Sequence, residues 1–329
     1  MVKSRYWQAV RGICILAVIM IHCPAGDRGV DQTIWLALRQ FINFPVAIFI
    51  FMAGYFVKPD KVNGIYLKNR VRRLLMPFLL WSTFYTVKNA LFNNVRSWDK
   101  VLFNFVTGQS AAPLYYILVM IQFTLLTPLF VKMKNRKWLY VITPLYLCGL
   151  YIWNFNFGMA PSLYGTFFPA WLFFYILGMD TRTGKLNNVV MRAMPYWVAV
   201  TFVIALMEAF VLRKLGCSIS FASSQIKFST FAYTGTIILL LLKNQKKEEK
   251  GIIGDVIGKV GDCSYGIFFL HMMVMYIVAK ILRILDSELV WVVEWLMDFI
   301  FTAVVSYILV SYARKRIRSR NILKAIGLD

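Results

Sequence analysis

The chain reads as a succession of apolar runs, each about 20 residues long, separated by short polar connections rich in lysine and arginine. Within the runs, apolar residues fill every side of the helical wheel rather than one stripe or every second position. That pattern predicts helices of bilayer-crossing length and excludes the alternating strands of a membrane barrel. Ten such segments are expected, at roughly 6–23, 34–57, 74–92, 113–131, 138–156, 163–179, 194–215, 226–242, 264–284 and 289–312. The sixth is short, and the tenth carries Glu294 and Asp298. The expected fold is all-α: a polytopic integral membrane protein of about ten transmembrane helices.

Composition agrees. With 59% hydrophobic residues and a mean hydropathy of +0.62, the chain lies outside the range of soluble globular domains. The net charge of +22 would suggest nucleic acid if its location were ignored. Placing the N-terminus inside puts most of the 37 lysines and arginines in the inner connections, loop by loop, and leaves Arg28, Arg96 and Lys100 in the outer connections proper. This alternation would fail if one span were miscounted. It predicts both termini on the cytoplasmic side, with membrane lipids rather than nucleic acid as the surrounding partner. The N-terminal apolar run is long, and His22-Cys23-Pro24-Ala25-Gly26 is a poor cleavage site, so it reads as a retained first span. Asn93–Thr107, with Trp98, Phe103 and Phe105, suits a short interfacial helix. No internal repeat and no matching pair of interrupted helices is evident, which weighs against an inverted-repeat transporter.

Against this apolar background the ionisable residues stand out. The first span contains Arg11 and His22, eleven residues apart. Eleven residues advance a helix by about 20° past three turns, so both side chains share one face, roughly 16 Å apart along the axis. Ionisable groups inside a bilayer are costly unless they face protein, water or substrate; snorkelling to the two interfaces is the plainer reading. By segment boundaries, His271 falls about 10 Å into the ninth span, near the depth of Arg11, and Glu208 about 21 Å into the seventh, near that of His22. Glu294 and Asp298 lie one turn apart and share a face. Arg70 and Arg73, three apart where the third span begins, are placed to grip a phosphate-bearing ligand or simply to obey the positive-inside rule. A carboxylate such as Glu208 orienting an imidazole is a usual way to build a base. The five cysteines, Cys14, Cys23, Cys148, Cys217 and Cys263, form no metal-binding spacing, and no metal site is expected. No nucleotide-binding or nucleophile-elbow motif occurs.

Several stretches together are similar to a known family. RYWQAVRGICILAVIMIH, with Arg11 and His22, resembles the first helix of the acyltransferase 3 family of bacterial membrane proteins, which includes surface-polysaccharide and O-antigen O-acetyltransferases. FPVAIFIFMAGYFV resembles its Phe-rich second helix, ending here in Ala53, Gly54 and Tyr55, with Met52-Ala53-Gly54 where Ser-Gly is more usual. YLKNRVRRLLMPFLLW places its Arg-x-x-Arg on Arg70 and Arg73; LYYILVMIQFTLLTPL and DCSYGIFFLH resemble its fourth-helix and late Ser-Tyr-Gly…His segments. The resemblance spans nearly the whole chain.

The resemblance implies a single transmembrane acyltransferase domain over 1–329, without the extracytoplasmic domain fused to some members. It implies acyl transfer in a bacterial inner membrane, from cytoplasmic acetyl-CoA to a hydroxyl of a cell-surface polysaccharide or lipid-linked glycan such as lipopolysaccharide. Arg70, Arg73, Arg11 and His271 are then expected to bind acyl-CoA, and His22, Arg11 and Glu208 to serve catalysis. His22 acts either as a general base or through an acyl-histidine. Trp35, Trp153 and Trp171 are candidate sugar-stacking or interfacial residues. A transporter or flippase for a glycan or small anion, using the same buried path, is the alternative.

Overall fold

The computed structural model describes residues 4–23, 31–92, 97–158, 163–184, 187–245, 252–285 and 290–328. Among these, every regular element is helical. In chain order the helices are α1 (Arg5–His22), α2 (Gln32–Phe41), α3 (Pro45–Tyr55), α4 (Gly64–Phe92), α5 (Trp98–Thr107), α6 (Tyr115–Lys132), α7 (Leu139–Phe157) and α8 (Leu172–Arg182). Then follow α9 (Asn187–Met191), α10 (Pro195–Lys214), α11 (Ile219–Ala222), α12 (Phe228–Asn244), α13 (Ile252–Asp262), α14 (Ser264–Leu285), α15 (Trp291–Arg316) and α16 (Arg320–Ile326). Among the described residues, five segments are long and apolar enough to cross a membrane: Gln32–Tyr55, Ala112–Lys132, Pro195–Lys214, Ser264–Ile284 and Trp291–Arg316.

The chain divides into two compact units, one of Met1–Val30, Val62–Thr127 and Gly251–Asp329, the other of Asp31–Lys61 and Pro128–Lys250. In the first unit, α1 packs against α13, α14 and α15, and α14 pairs with α15. The segment expected as an inner connection is therefore partly helix. α13 crosses α1 at glycines: a Cβ on Gly12 would collide with the carbonyl of Ile257, and one on Gly261 with that of Gln8. Backbones approach this closely only where a glycine leaves out the side chain at the contact. At the far end of the chain α16 folds back on α4, where the Trp81 indole donates to Ile326 O at 3.0 Å.

The second unit departs from the expected spans in two places. The run expected as one helix over 34–57 is broken at Ile42–Phe44, because Pro45 supplies no N–H to continue the ladder and starts α3 instead. Amide side chains stitch the break: Gln40 Nε2 donates to Ala222 O at 3.2 Å and Asn43 Nδ2 to Ser223 O at 2.8 Å. The sixth expected span forms only the 11-residue helix α8, about 16 Å long and too short to cross alone. α8 lies on α3, itself 11 residues, with Gly54 against the Tyr175 carbonyl and Gly178 against that of Phe51. Across the same unit, Arg136 and Asp180 form a buried ion pair at 2.6 Å.

The helix expected over Asn93–Thr107 is present as α5 for the described part, with Trp98, Leu102, Phe103 and Val106 exposed. Trp171, a candidate for sugar stacking, is instead 1% exposed, and its indole N–H is used by Gly165 O at 2.8 Å. Its ring packs in the core and offers no face to a ligand.

Candidate active site

The first unit gathers most of the residues singled out by pattern. α1 is buried on nearly every side, by Trp7, Val10, Cys14, Ile15, Val18 and Ile19 among others. Arg11 and His22 are half-buried on it, as are Tyr6, Leu16, Met20 and Ile21, while Arg5 and Ile13 are exposed. α4 begins at Gly64, so Arg70 and Arg73 sit within a helix and their three-residue spacing makes them neighbours on its surface.

Around Arg11 the charges converge. Arg70, Arg73, Tyr116 and Asp262 all lie within electrostatic reach of its guanidinium. Tyr116 is in turn within reach of both Arg11 and Arg70. Arg70 is held in place by Tyr66: its Nη1 donates to the phenol oxygen at 2.9 Å, and its guanidinium carbon stands 5.7 Å from the ring centroid. The Tyr265 hydroxyl donates to Arg73 O at 3.1 Å and ties α14 to α4. Three guanidinium groups with one carboxylate among them leave a net positive cluster, suited by fork geometry to phosphate oxygens.

At the other end of α1 lies an imidazole pair. The rings of His22 and His271 are 5.6 Å apart, centroid to centroid, and tilted by 41°. This corrects the depth assigned to His271, which was placed level with Arg11. The reason is axial offset: Arg11 lies within electrostatic reach of Asp262, the last residue of α13, two residues before α14 begins at Ser264. From there the nine-residue step from Asp262 to His271 and the eleven from Arg11 to His22 advance by about 14 and 16 Å, and the two histidines meet. His271 is 0% exposed. Phe268 links the two groups, with its ring 5.6 Å from Tyr116 and 6.4 Å from His271.

A third feature was only half visible in sequence. On α15, Asp298, Thr302 and Ser306 recur one turn apart, each 0% exposed. Among the described residues neither Asp298 oxygen nor the two hydroxyls has a hydrogen-bond partner. Glu294, one turn before, and Cys23, next to His22, lie within electrostatic reach of Asp298.

Glu208 belongs to the second unit, where its carboxylate has its own partners. It accepts from the Tyr151 and Ser229 hydroxyls and from Ser229 N at 3.2 Å, and Lys227 Nζ stands 3.9 Å away. Lys227 is 0% exposed and also donates to Gln40 Oε1 at 2.9 Å. Arg213, five residues further along the chain, donates to Cys217 O. Sequence reasoning overlooked Lys227, Tyr116 and Phe268. Lys227 was visible as a cation at the start of an apolar run; the two aromatics carried no signal apart from the motifs that contain them.

The family described as an acyltransferase domain matches residues 4–311, nearly the whole chain. The chain belongs to the acyltransferase 3 family. It is thus a helical membrane protein of an acyltransferase family. Curated relatives include the probable poly-beta-1,6-N-acetyl-D-glucosamine export proteins of Staphylococcus aureus. That of strain MRSA252 is 21% identical over 253 residues, covering 72% of this chain and 71% of the relative. That of strain Mu50 is 22% identical over the same shares. No solved structure matches the chain.

Proposed function

We propose that this protein is a membrane O-acyltransferase of the bacterial inner membrane, with about ten spans and both termini cytoplasmic. It moves an acyl group, acetyl by preference, from cytoplasmic acyl-CoA to a hydroxyl of a surface or lipid-linked polysaccharide. One observation carries the reading: a single helix, α1, takes part in a cluster of three arginines at Arg11 and in an imidazole pair at His22. A donor rich in phosphate suits the first and a proton transfer the second. The saccharide named for the staphylococcal relatives supports a glycan acceptor.

The chemistry follows from the placement. Arg70, Arg73 and Arg11 hold donor phosphates by paired N–H bonds, and the thioester extends along α1 toward His22. The acceptor oxygen attacks the thioester carbonyl while His22 removes its proton. The carbon–sulfur bond then breaks, and the imidazolium returns the proton to the departing thiolate.

The word "export" in the relatives' name, and the broken helix α2–α3, favour a second reading, a glycan exporter. One experiment separates the two. Membrane vesicles from cells producing the protein are given radiolabelled acetyl-CoA, and label is counted in extracted glycan. Label that depends on the protein and is lost in His22→Ala, with membrane insertion unchanged, is the expected result. Equal labelling by His22→Ala, or glycan translocation with no labelling at all, would sink the acyltransferase reading.

A further inference from the structure

The imidazole pair contains more than one base. His271 Nδ1 lies 3.0 Å from Ile267 O, one turn back on its own helix. A carbonyl oxygen only accepts, so Nδ1 carries the hydrogen. A second proton on the ring would place an unpaired cation in a fully enclosed site, at a desolvation cost of several kcal/mol. The ring is therefore neutral, and its Nε2 presents a bare lone pair. That lone pair is buried and has no hydrogen-bond partner among the described residues. The neighbouring imidazole, His22, has its centroid 5.6 Å away. With two nitrogens turned toward each other, this separation sets them about 3.3 Å apart, at the long end of hydrogen-bond distance.

We propose that His271 is the positioning residue of His22, filling the place that a carboxylate takes in a serine-type triad. Its Nε2 accepts the N–H of His22. This leaves the opposite nitrogen of His22 unprotonated toward the acceptor hydroxyl and supports the positive charge that forms there. The inference rests on the acyl-transfer reading above and replaces a donor-binding role for His271. The balance is simple. The acceptor O–H bond breaks and its proton goes to His22; the new C–O bond forms and the C–S bond breaks; the proton passes from His22 to sulfur. His271 keeps its own Nδ1–H throughout, and no net proton is gained or lost. A histidine suits this position better than a carboxylate because a neutral acceptor costs far less to bury between uses.

The test compares His271→Phe, which keeps a ring without a lone pair, with His271→Gln, which keeps an acceptor oxygen. Initial rates of label transfer are measured in the vesicle assay across acetyl-CoA concentrations, beside the thermal stability of each purified variant. His271→Phe is expected to lower kcat about 100-fold with KM for acetyl-CoA unchanged, the scale of a lost general-base contribution. His271→Gln is expected to recover at least about tenfold of that loss. An unchanged kcat in His271→Phe would make His271 a packing residue, and a raised KM with kcat kept would return it to donor binding; either overturns the proposal. Should His271→Phe fail to fold, His271→Leu and His271→Met serve the same comparison, and equal rates for these and Gln are also fatal. Absence of transfer by the unaltered protein, by contrast, refutes the acyltransferase reading itself.

Discussion

The Glu208–Lys227 pair offers a quantitative test of which buried charges belong to the chemistry. Lys227 is fully enclosed, and Glu208 is its one carboxylate partner among the described ion pairs, at 3.9 Å with one fifth of the Glu208 side chain exposed. At that distance the attraction is about 4 kcal/mol for an effective dielectric constant near 20. Removing the carboxylate also strands the Ser229 N–H, which donates to it at 3.2 Å, and the Tyr151 and Ser229 hydroxyls. Glu208→Ala is therefore expected to destabilise the protein by about 3 to 5 kcal/mol, the usual range for one partner lost from a buried pair. Lys227→Met in the same chain removes the stranded cation and should recover most of that loss, so the two changes couple strongly in a double-mutant cycle. The assay is thermal unfolding of detergent-purified protein for the wild type, both single variants and the double variant, with acetyl transfer measured on each. Additive losses would show that the pair is not coupled and refute the electrostatic argument. A stable double variant without transfer would refute a purely structural role and return Glu208 to the catalytic set, where its type and depth first placed it.

Other consequences are as direct. Arg70→Ala should raise the KM for acetyl-CoA about tenfold, the worth of one charge-assisted bond, with little change in kcat; an unchanged KM would mean that the arginines only set topology. Asp298→Leu should raise the melting temperature, because a buried group without a hydrogen-bond partner among the described residues costs about 1 to 3 kcal/mol, while lowering transfer if that cost is kept for function; a lowered melting temperature would mean that its attraction to Arg283, or a partner beyond the described residues, outweighs that cost. Gly54→Leu should destabilise by at least about 1 to 3 kcal/mol through its clash with the Tyr175 carbonyl. Gly149→Ala, where no described residue beyond its own stretch of helix comes within 4 Å of the added carbon, should be neutral or stabilising by up to about 1 kcal/mol. Thermal unfolding of the two glycine variants side by side checks both.

Local pattern was enough wherever the relevant distance lies within one helix. The helical class, the alignment of Arg11 with His22 and the pairing of Arg70 with Arg73 all follow from 3.6 residues per turn acting on neighbours in the chain. The wide spread of basic residues likewise followed from composition and order alone. Where one helix stands along another is a different quantity, decided by packing. Gly12 and Gly261 allow α13 to cross against α1, Asp262 then comes beside Arg11, and α14 starts from that level, so that His271 reaches His22 rather than Arg11. Nothing in the spacing around His271 encodes this offset. The break before Pro45 was written in the residue itself, since proline cannot donate to the ladder, but the amides of Gln40 and Asn43 that make the break tolerable find their acceptors at Ala222 and Ser223, about 180 residues on. Glu208 illustrates the same limit: its charge and depth were legible in the chain, whereas Lys227, which takes up that charge, was chosen by the contact of α10 with α12.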